Sequence, residues 1–236
     1  EESRDRALRK VTEHIPEDLV EKFAGESGIT KDDIHLIPQS PSGIVSAVDG
    51  SNSMIIEGGS MGVAAIRAVR TTFAGMERSH RSITPITLVT IGPGHRNHDF
   101  DELYFECFGI PPHKGLDNAD PERASAILRD TLEYWVALQT AKTLPEGALL
   151  LIDGALRVSS QNHEPVLHDI VNIARERRLL LAAVAKRTRA TWGGGHPLLP
   201  AIGGLAAHLG ITGPWWVKIN EHLLDHTEYR QGRHGE

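Results

Sequence analysis

Residues 148–154 read ALLLIDG: an unbroken apolar run, then an acid and a glycine. A run this short and apolar, bounded by turn formers, predicts a buried strand. Upstream, Asp120-Pro121-Glu122 supplies an N-cap followed by proline at the first helical position. A helix is therefore expected from there to about Thr143, with Gly147 resetting the chain. Downstream come a helix over about Pro165–Arg178, a strand over Leu179–Ala185 and a basic turn, Lys186-Arg187-Thr188-Arg189. A Gly-rich loop (Trp192 to His196), an apolar helix around Leu198–Leu209 and a last strand, Trp215–Ile219, complete the chain. Helix alternating with strand predicts parallel βαβ units with right-handed crossovers.

The N-terminal half has a different texture. Leu8, Val11, Ile15, Leu19, Val20 and Phe23 recur at helical spacing, with Pro16 expected at a helix N1 position. Ile44–Val48 is strand-like and runs into Asp49-Gly50-Ser51-Asn52, a turn-forming cluster. Met61–Phe73 and Ile83–Ile91 read as two further strands, and Leu103–Phe108 as a short third possibility. Three meandering strands followed by α-β-α-β-α predict a mixed five-stranded sheet with helices on both faces, the architecture of the ribonuclease H-like fold. The organisation expected is a single domain over 1–236, with a helical extension over 1–35 and a core over 42–220.

Composition bounds the function classes. Among 236 residues, 31 acidic against 25 basic side chains give a net charge of −6, so the chain is no basic coat for nucleic acid. Hydrophobic residues at 40% and charged residues at 24% sit at globular values, which excludes disordered and fibrous classes. The single cysteine, Cys107, excludes an internal disulfide and any Cys-built zinc site. No apolar run reaches the ~18 residues of a membrane span and the N-terminus has no signal-peptide core, so a cytoplasmic protein is expected. The chain opens at Glu1 without a methionine and reads as a fragment or a processed form.

Two predicted strands end alike, Val48-Asp49-Gly50 and Ile152-Asp153-Gly154. An acid just past a buried strand lies at the carboxyl edge of the sheet, where open α/β sheets bind ligands. If the two strands are neighbours, two carboxylates converge, and such a pair repels unless a divalent cation sits between them. Alternatively, Asp-Gly makes only a turn, as Asx sequences often do. Glu133, set among Ile127, Leu128, Leu132, Trp135 and Val136, is a third acid, which either points to the sheet edge or pairs with Arg129 at i−4. Asp130 and Glu122 are lesser candidates. Asp, Glu and Asp in this order would suit two Mg²⁺ or Mn²⁺ ions about 3.5–4 Å apart, hard cations that take oxygen ligands.

AVDGSNS (47–53), LLLIDGAL (149–156) and the strand-ending AVAKR resemble the NurA nuclease family. The resemblance runs over about Ile44–Ile219 and implies a ribonuclease H-like, manganese-dependent nuclease acting on DNA ends. It implies work with a HerA-type hexameric helicase-translocase in end resection, and a homodimer. Asp49, Glu133 and Asp153 would then be metal ligands, and Lys186 a phosphate contact. The family pattern also carries a C-terminal histidine near the metals. His222, Asp225, His226 and His234 match it by position only. Two other classes fit the same residues: a non-catalytic subunit docking on a motor protein, and a nucleotide- or sugar-binding protein of the actin/hexokinase-like group, whose Asp-Gly turns grip phosphate.

The densest basic region is Arg175, Arg177 and Arg178 with Lys186, Arg187 and Arg189. It reads either as a phosphate-contacting stripe beside the acids or as a helix end favoured by the dipole. Trp192 could stack on an unpaired base or pack into the core. His95 and His98, near Asp99 and Asp101, lack the partners of a zinc site and read as surface residues. No G-x-S-x-G is present and Cys107 has no motif around it, so nucleophilic serine or cysteine chemistry has no support. The acidic balance predicts weak activity on free DNA and stronger activity with a partner.

Overall fold

The computed structural model describes residues 15–37, 43–58, 61–92, 98–116, 120–185, 190–225 and 227–229. They fall into two compact units: Ser40–Lys186, and Glu1–Gln39 with Arg187–Glu236.

The unit over Ser40–Lys186 holds the strands β1 (Ile44–Gly58), β2 (Met61–Ala74), β3 (Glu77–Ile83) and β4 (Thr87–Ile91). Then follow helices α1 (His98–Phe108) and α2 (Pro121–Thr143), strand β5 (Leu149–Asp153), helix α3 (Glu164–Glu176) and strand β6 (Leu180–Val184). They build a six-stranded mixed sheet of order β3-β2-β1-β5-β6, with β4 also on β2. β3 pairs with Val69–Ala74 and β4 with Gly62–Ile66, so the two share one edge of β2 end to end. The sheet is thus six strands in five positions rather than the expected five strands. β1 and β2 are antiparallel, whereas β1, β5 and β6 are parallel.

Several expected elements differ, each for a local reason. Asp49-Gly50-Ser51-Asn52 makes no turn: β2 pairs with β1 without a break in register from Ile44↔Ala74 to Met54↔Ala64 and, after a shift at Ile55, on to Gly58↔Met61, and carries the strand through. The run Ile83–Ile91 breaks at Thr84-Pro85-Ile86 into β3 and β4. Residues 103–108, read as strand, belong to α1, because Phe100, Leu103 and Tyr104 are buried at i, i+3, i+4 spacing. α2, β5, α3 and β6 lie within two residues of expectation, and Asp120 caps α2 by accepting from the Arg123 N–H at 3.0 Å.

Strand side chains alternate between faces. Val48, Ala64, Ile66, Ala68, Leu150 and Ile152 share one face, buried in a single apolar cluster with Phe100, Leu128, Leu132, Ala137 and Ile170 of the three helices. Within this unit the described helices cover that one face, not both. At ~1.5 Å per residue, the 23-residue α2 spans about 34 Å. Near its start the Asn52 amide donates to Ser125 Oγ at 2.8 Å, and at its end Arg70 donates to Thr143 Oγ1 at 3.3 Å. These bonds fix the helix lengthwise on β1 and β2, and with it the position of Glu133.

The other unit has its own core: Phe23, Ile29, Ile34, Trp192, Leu198, Ile202, Leu205 and Leu223. Helix Glu17–Ser27 follows Pro16, which stands at the cap rather than at N1, and ends at Gly28 with φ 64°. The strand Trp215–Val217, expected in the core, pairs instead with Ile34–Leu36, outside the six-stranded sheet. Ala190–Trp192 lies between Thr227–Tyr229 and His196–Pro197 in a small antiparallel sheet. Among the described residues, no helix is long and apolar enough to cross a membrane.

Candidate metal centre

The parallel register of β1 with β5 places Val48 beside Ile152, so the next residues, Asp49 and Asp153, stand next to each other on adjacent strands. Neighbouring strands lie about 4.8 Å apart. The two Asp-Gly sequences then diverge. Gly154 turns away with φ 91°, and its N–H donates to the Val184 carbonyl at 3.0 Å. Gly50 continues the strand past the end of β5.

That overhang is where α2 enters. Ala68, opposite Gly50, sends its N–H to Thr84 Oγ1 and receives the Thr84 N–H at its carbonyl, both on the side away from β1. Gly50 and Ala68 are thus a non-hydrogen-bonded pair, and the Gly50 N–H faces the side that β5 has vacated. Glu133 Oε2 accepts it at 3.1 Å. Glycine is required here by space: a β-carbon at Gly50 would lie 2.8 Å from Glu133 Oε2 and 2.8 Å from Arg129 Cγ. Val48 and Gly50 therefore face α2, whereas Asp49 is exposed and alternates to the other side.

Glu133 is 8% exposed. Burial first, then the field of Asp130, pushes its pKa up to about 7; Asp153 and Asp49 add to the rise and Arg129 opposes it. Asp130 is anchored twice: Arg129 donates to Oδ1 through Nε at 3.0 Å and a terminal nitrogen at 2.6 Å, and Ser159 Oγ donates to Oδ2 at 2.5 Å. Arg129 pairs with Asp130, not with Glu133 as the i−4 spacing suggested. Further in, His163 is fully buried. Its Nε2 is 2.9 Å from Thr131 Oγ1, whose hydroxyl donates to the Ile127 carbonyl, and its Nδ1 has no hydrogen-bond partner.

The chemistry of this edge suits a hard divalent cation: carboxylate oxygens from two strands and a helix, with a glutamate whose pKa is raised first by burial and then by neighbouring acids. Among the described residues, no group of three or more His, Cys, Asp or Glu is arranged as a ready ligand set. Asp49 lies on the face of β1 away from α2, and Glu133 is engaged by the Gly50 N–H; together these account for that.

The other expected residues separate. Lys186, Arg187 and Arg189 lie outside the described residues, as do His95, His226 and His234. Trp192 offers no face to a base: it is 1% exposed, edge-on to Phe23 at 4.9 Å, in the core of the other unit. Arg177 and Arg178 precede β6, at the end of the parallel strands opposite Asp153. There they bond the Leu144 carbonyl and Glu146, so they are no stripe beside the acids. His222 Nε2 donates to the Glu26 carbonyl, 3.0 Å away within its own unit. His98 pairs with Glu102 on the exposed side of α1. The participants that sequence reading missed are Asn52 and Ser159; it offered Arg129 only as a possible partner of Glu133, and it ranked Asp130 too low. The i, i+3 spacing of Asp130 and Glu133 on one helix face was the available signal.

The fold and the site define a class: an α/β domain with an acidic centre at the carboxyl end of its parallel strands. The family model of the NurA domain matches residues 43–191, and the chain belongs to the NurA family. Among solved structures it is similar to the NurA nuclease from Sulfolobus solfataricus, at 14% identity, covering 85% of this chain and 66% of that one, with TM-score 0.43. It is similar to a NurA bound to dAMP and manganese (16% identity, 70% and 30% covered, TM-score 0.36). It is also similar to a further NurA crystal structure (14%, 65% and 28%, 0.35). The chain thus spans less than a third of the length of the last two and just under two thirds of the first. Comparison with curated proteins finds no match.

Proposed function

We propose that this chain is a metal-dependent deoxyribonuclease built on a ribonuclease H-like sheet. The observation that carries this reading is the adjacency of Asp49 and Asp153 on neighbouring parallel strands, with Glu133 reaching the same edge from α2. A relative solved with dAMP and manganese supports the choice of ion and of substrate.

Asp49 and Asp153 would hold Mn²⁺ or Mg²⁺, two ions in the fullest form, and Glu133 would complete the set after releasing the Gly50 N–H. Bound ions of this kind activate water and stabilise the leaving oxygen of a phosphodiester. Gly50 keeps the approach open, since any side chain there would overlap Glu133. Lys186, Arg187 and Arg189, which follow β6 in the sequence, would take DNA phosphates. We further propose action on single- and double-stranded DNA ends with a HerA-type translocase and as a homodimer. The net charge of −6 calls for delivery of DNA by such a partner.

Purified protein should shorten linear DNA in Mn²⁺, and Asp49→Asn should abolish this while preserving the fold by circular dichroism. Equal cleavage by wild type and Asp49→Asn, or none by either in Mn²⁺ and Mg²⁺, overturns the proposal.

A further inference from the structure

Arg129 is placed unusually for a helix surface residue. Neighbours i and i+1 on a helix do not face each other. Even so, the Arg129 side chain folds back to grip Asp130 through two nitrogens, at 3.0 and 2.6 Å. Its third nitrogen is 3.5 Å from Asn52 Oδ1 on β1. Its stem fills the space over Gly50: a β-carbon there would meet Arg129 Cγ at 2.8 Å and Cδ at 3.3 Å, beside Glu133 Oε2. Ser159 fixes the far oxygen of Asp130 and so fixes the grip. The guanidinium is thus held from the helix and from the strand, over the same glycine as Glu133. Asp130, Glu133 and Asp153 all act on it electrostatically, and together they outweigh the burial that alone would weaken its charge.

We infer that Arg129 is a resident counter-cation of the acid cluster, competing with the divalent ion for the carboxylates of Glu133 and Asp153. This inference rests on the metal-centre reading above. Without a divalent ion, three acids (Asp130, Glu133 and Asp153) act on Arg129, and the guanidinium compensates part of their charge. When a divalent ion binds, like charges repel, so the guanidinium keeps its grip on Asp130 and its hold over Gly50 and Asn52 loosens. By linkage, whatever holds Arg129 over Gly50 weakens the ion, and the ion loosens Arg129 to the same degree. Arg129 is then a positioning residue that sets the ion concentration at which the centre forms.

The test is calorimetric titration of the full chain with MnCl₂ at low salt, for wild type, Arg129→Gln, Arg129→Lys and Asp153→Asn. Removing one unit charge at this range should tighten Mn²⁺ binding about tenfold in Arg129→Gln, with Arg129→Lys close to wild type. Arg129→Met keeps the apolar stem over Gly50 and removes the charge together with its N–H donors; it should match Arg129→Gln and replaces it if that variant does not fold. Thermal melts should show Arg129→Gln below wild type without metal and a larger gain for it on adding Mn²⁺. If the charge-removing variants bind Mn²⁺ no tighter than wild type while Asp153→Asn loses it, Arg129 does not compete, and the metal centre stands. If wild type and the Arg129 variants bind no Mn²⁺, the metal-centre reading fails and the inference falls with it.

Discussion

Gly50 and Glu133 meet at the end of β5, where the glycine N–H donates to the carboxylate at 3.1 Å and no room remains for a β-carbon. Gly50→Ala must therefore push back both Glu133 and the Arg129 stem. Overpacking of this kind costs about 1–3 kcal/mol, which urea unfolding would measure. Unchanged stability would mean that the two side chains move aside freely and that the contact positions nothing.

Glu133 sets a pH dependence. Its carboxyl, raised to about 7 chiefly by burial, keeps its proton in the folded chain over a range where the unfolded chain has already lost it. Metal-free stability should fall as pH rises from about 4.5 to 7, by on the order of 3 kcal/mol. Glu133→Gln should remove that slope and melt higher than wild type above pH 7. Parallel pH profiles for the two proteins would contradict this.

His163 acts in the opposite direction. Burial holds its imidazole down at about 4, against 6.5 for a free histidine, although Asp130 pulls it upward. Below pH 6.5 the unfolded chain takes up a proton that the folded chain refuses, so its contribution is intact above pH 6.5 and is lost as pH falls toward 4. His163→Gln can preserve the bond to Thr131 without titrating. Its acid unfolding should begin at lower pH than that of wild type, as read by tryptophan fluorescence.

Trp192 should matter for stability alone. Fully enclosed and edge-on to Phe23, it should cost about 3–5 kcal/mol when changed to alanine. Trp192→Phe, if folded, should bind single-stranded DNA as wild type does. Selective loss of DNA binding would restore the base-stacking role.

Cys107 should be inert. Burial and Glu106 push its thiol up to about 12, so almost no thiolate exists at pH 8. A thiol reagent should label it only upon unfolding; rapid native labelling would show that this helix opens.

What could be read in advance follows from where each segment is buried. β5 and α2 announce themselves, one as a run of aliphatic residues, the other by Asp120-Pro121 and a long period of 3.6. β3, Glu-Arg-Ser-His-Arg-Ser-Ile, is exposed at every position, so no alternation marks it; only pairing with β2 makes it a strand. The aromatic residues of α1 favour strand by propensity, and packing overrules them. The adjacency of Asp49 and Asp153 was legible because both close apolar strands. Gly50 was misread as a turn: its role is close approach, visible only once α2 lies over β1. Spacing left Arg129 as one of two options for Glu133; its bonds to Asp130 and a strand residue 77 positions away decide its grip.

The register of the sheet also dictates the order in which the centre is assembled. β1 and β2 follow one another in the sequence, with Gly58 paired to Met61, so Asp49 and Gly50 take their places by local pairing, an event of microseconds. Asp153 arrives only when Leu149 finds Val45, a closure across 149 − 45 = 104 residues. By chain entropy such a closure is among the slowest contacts to form. A chain with β5 undocked keeps its hairpin and has no acidic centre. Affinity for a divalent ion is therefore a property of the completed sheet, and its return during refolding should trail the recovery of strand signal.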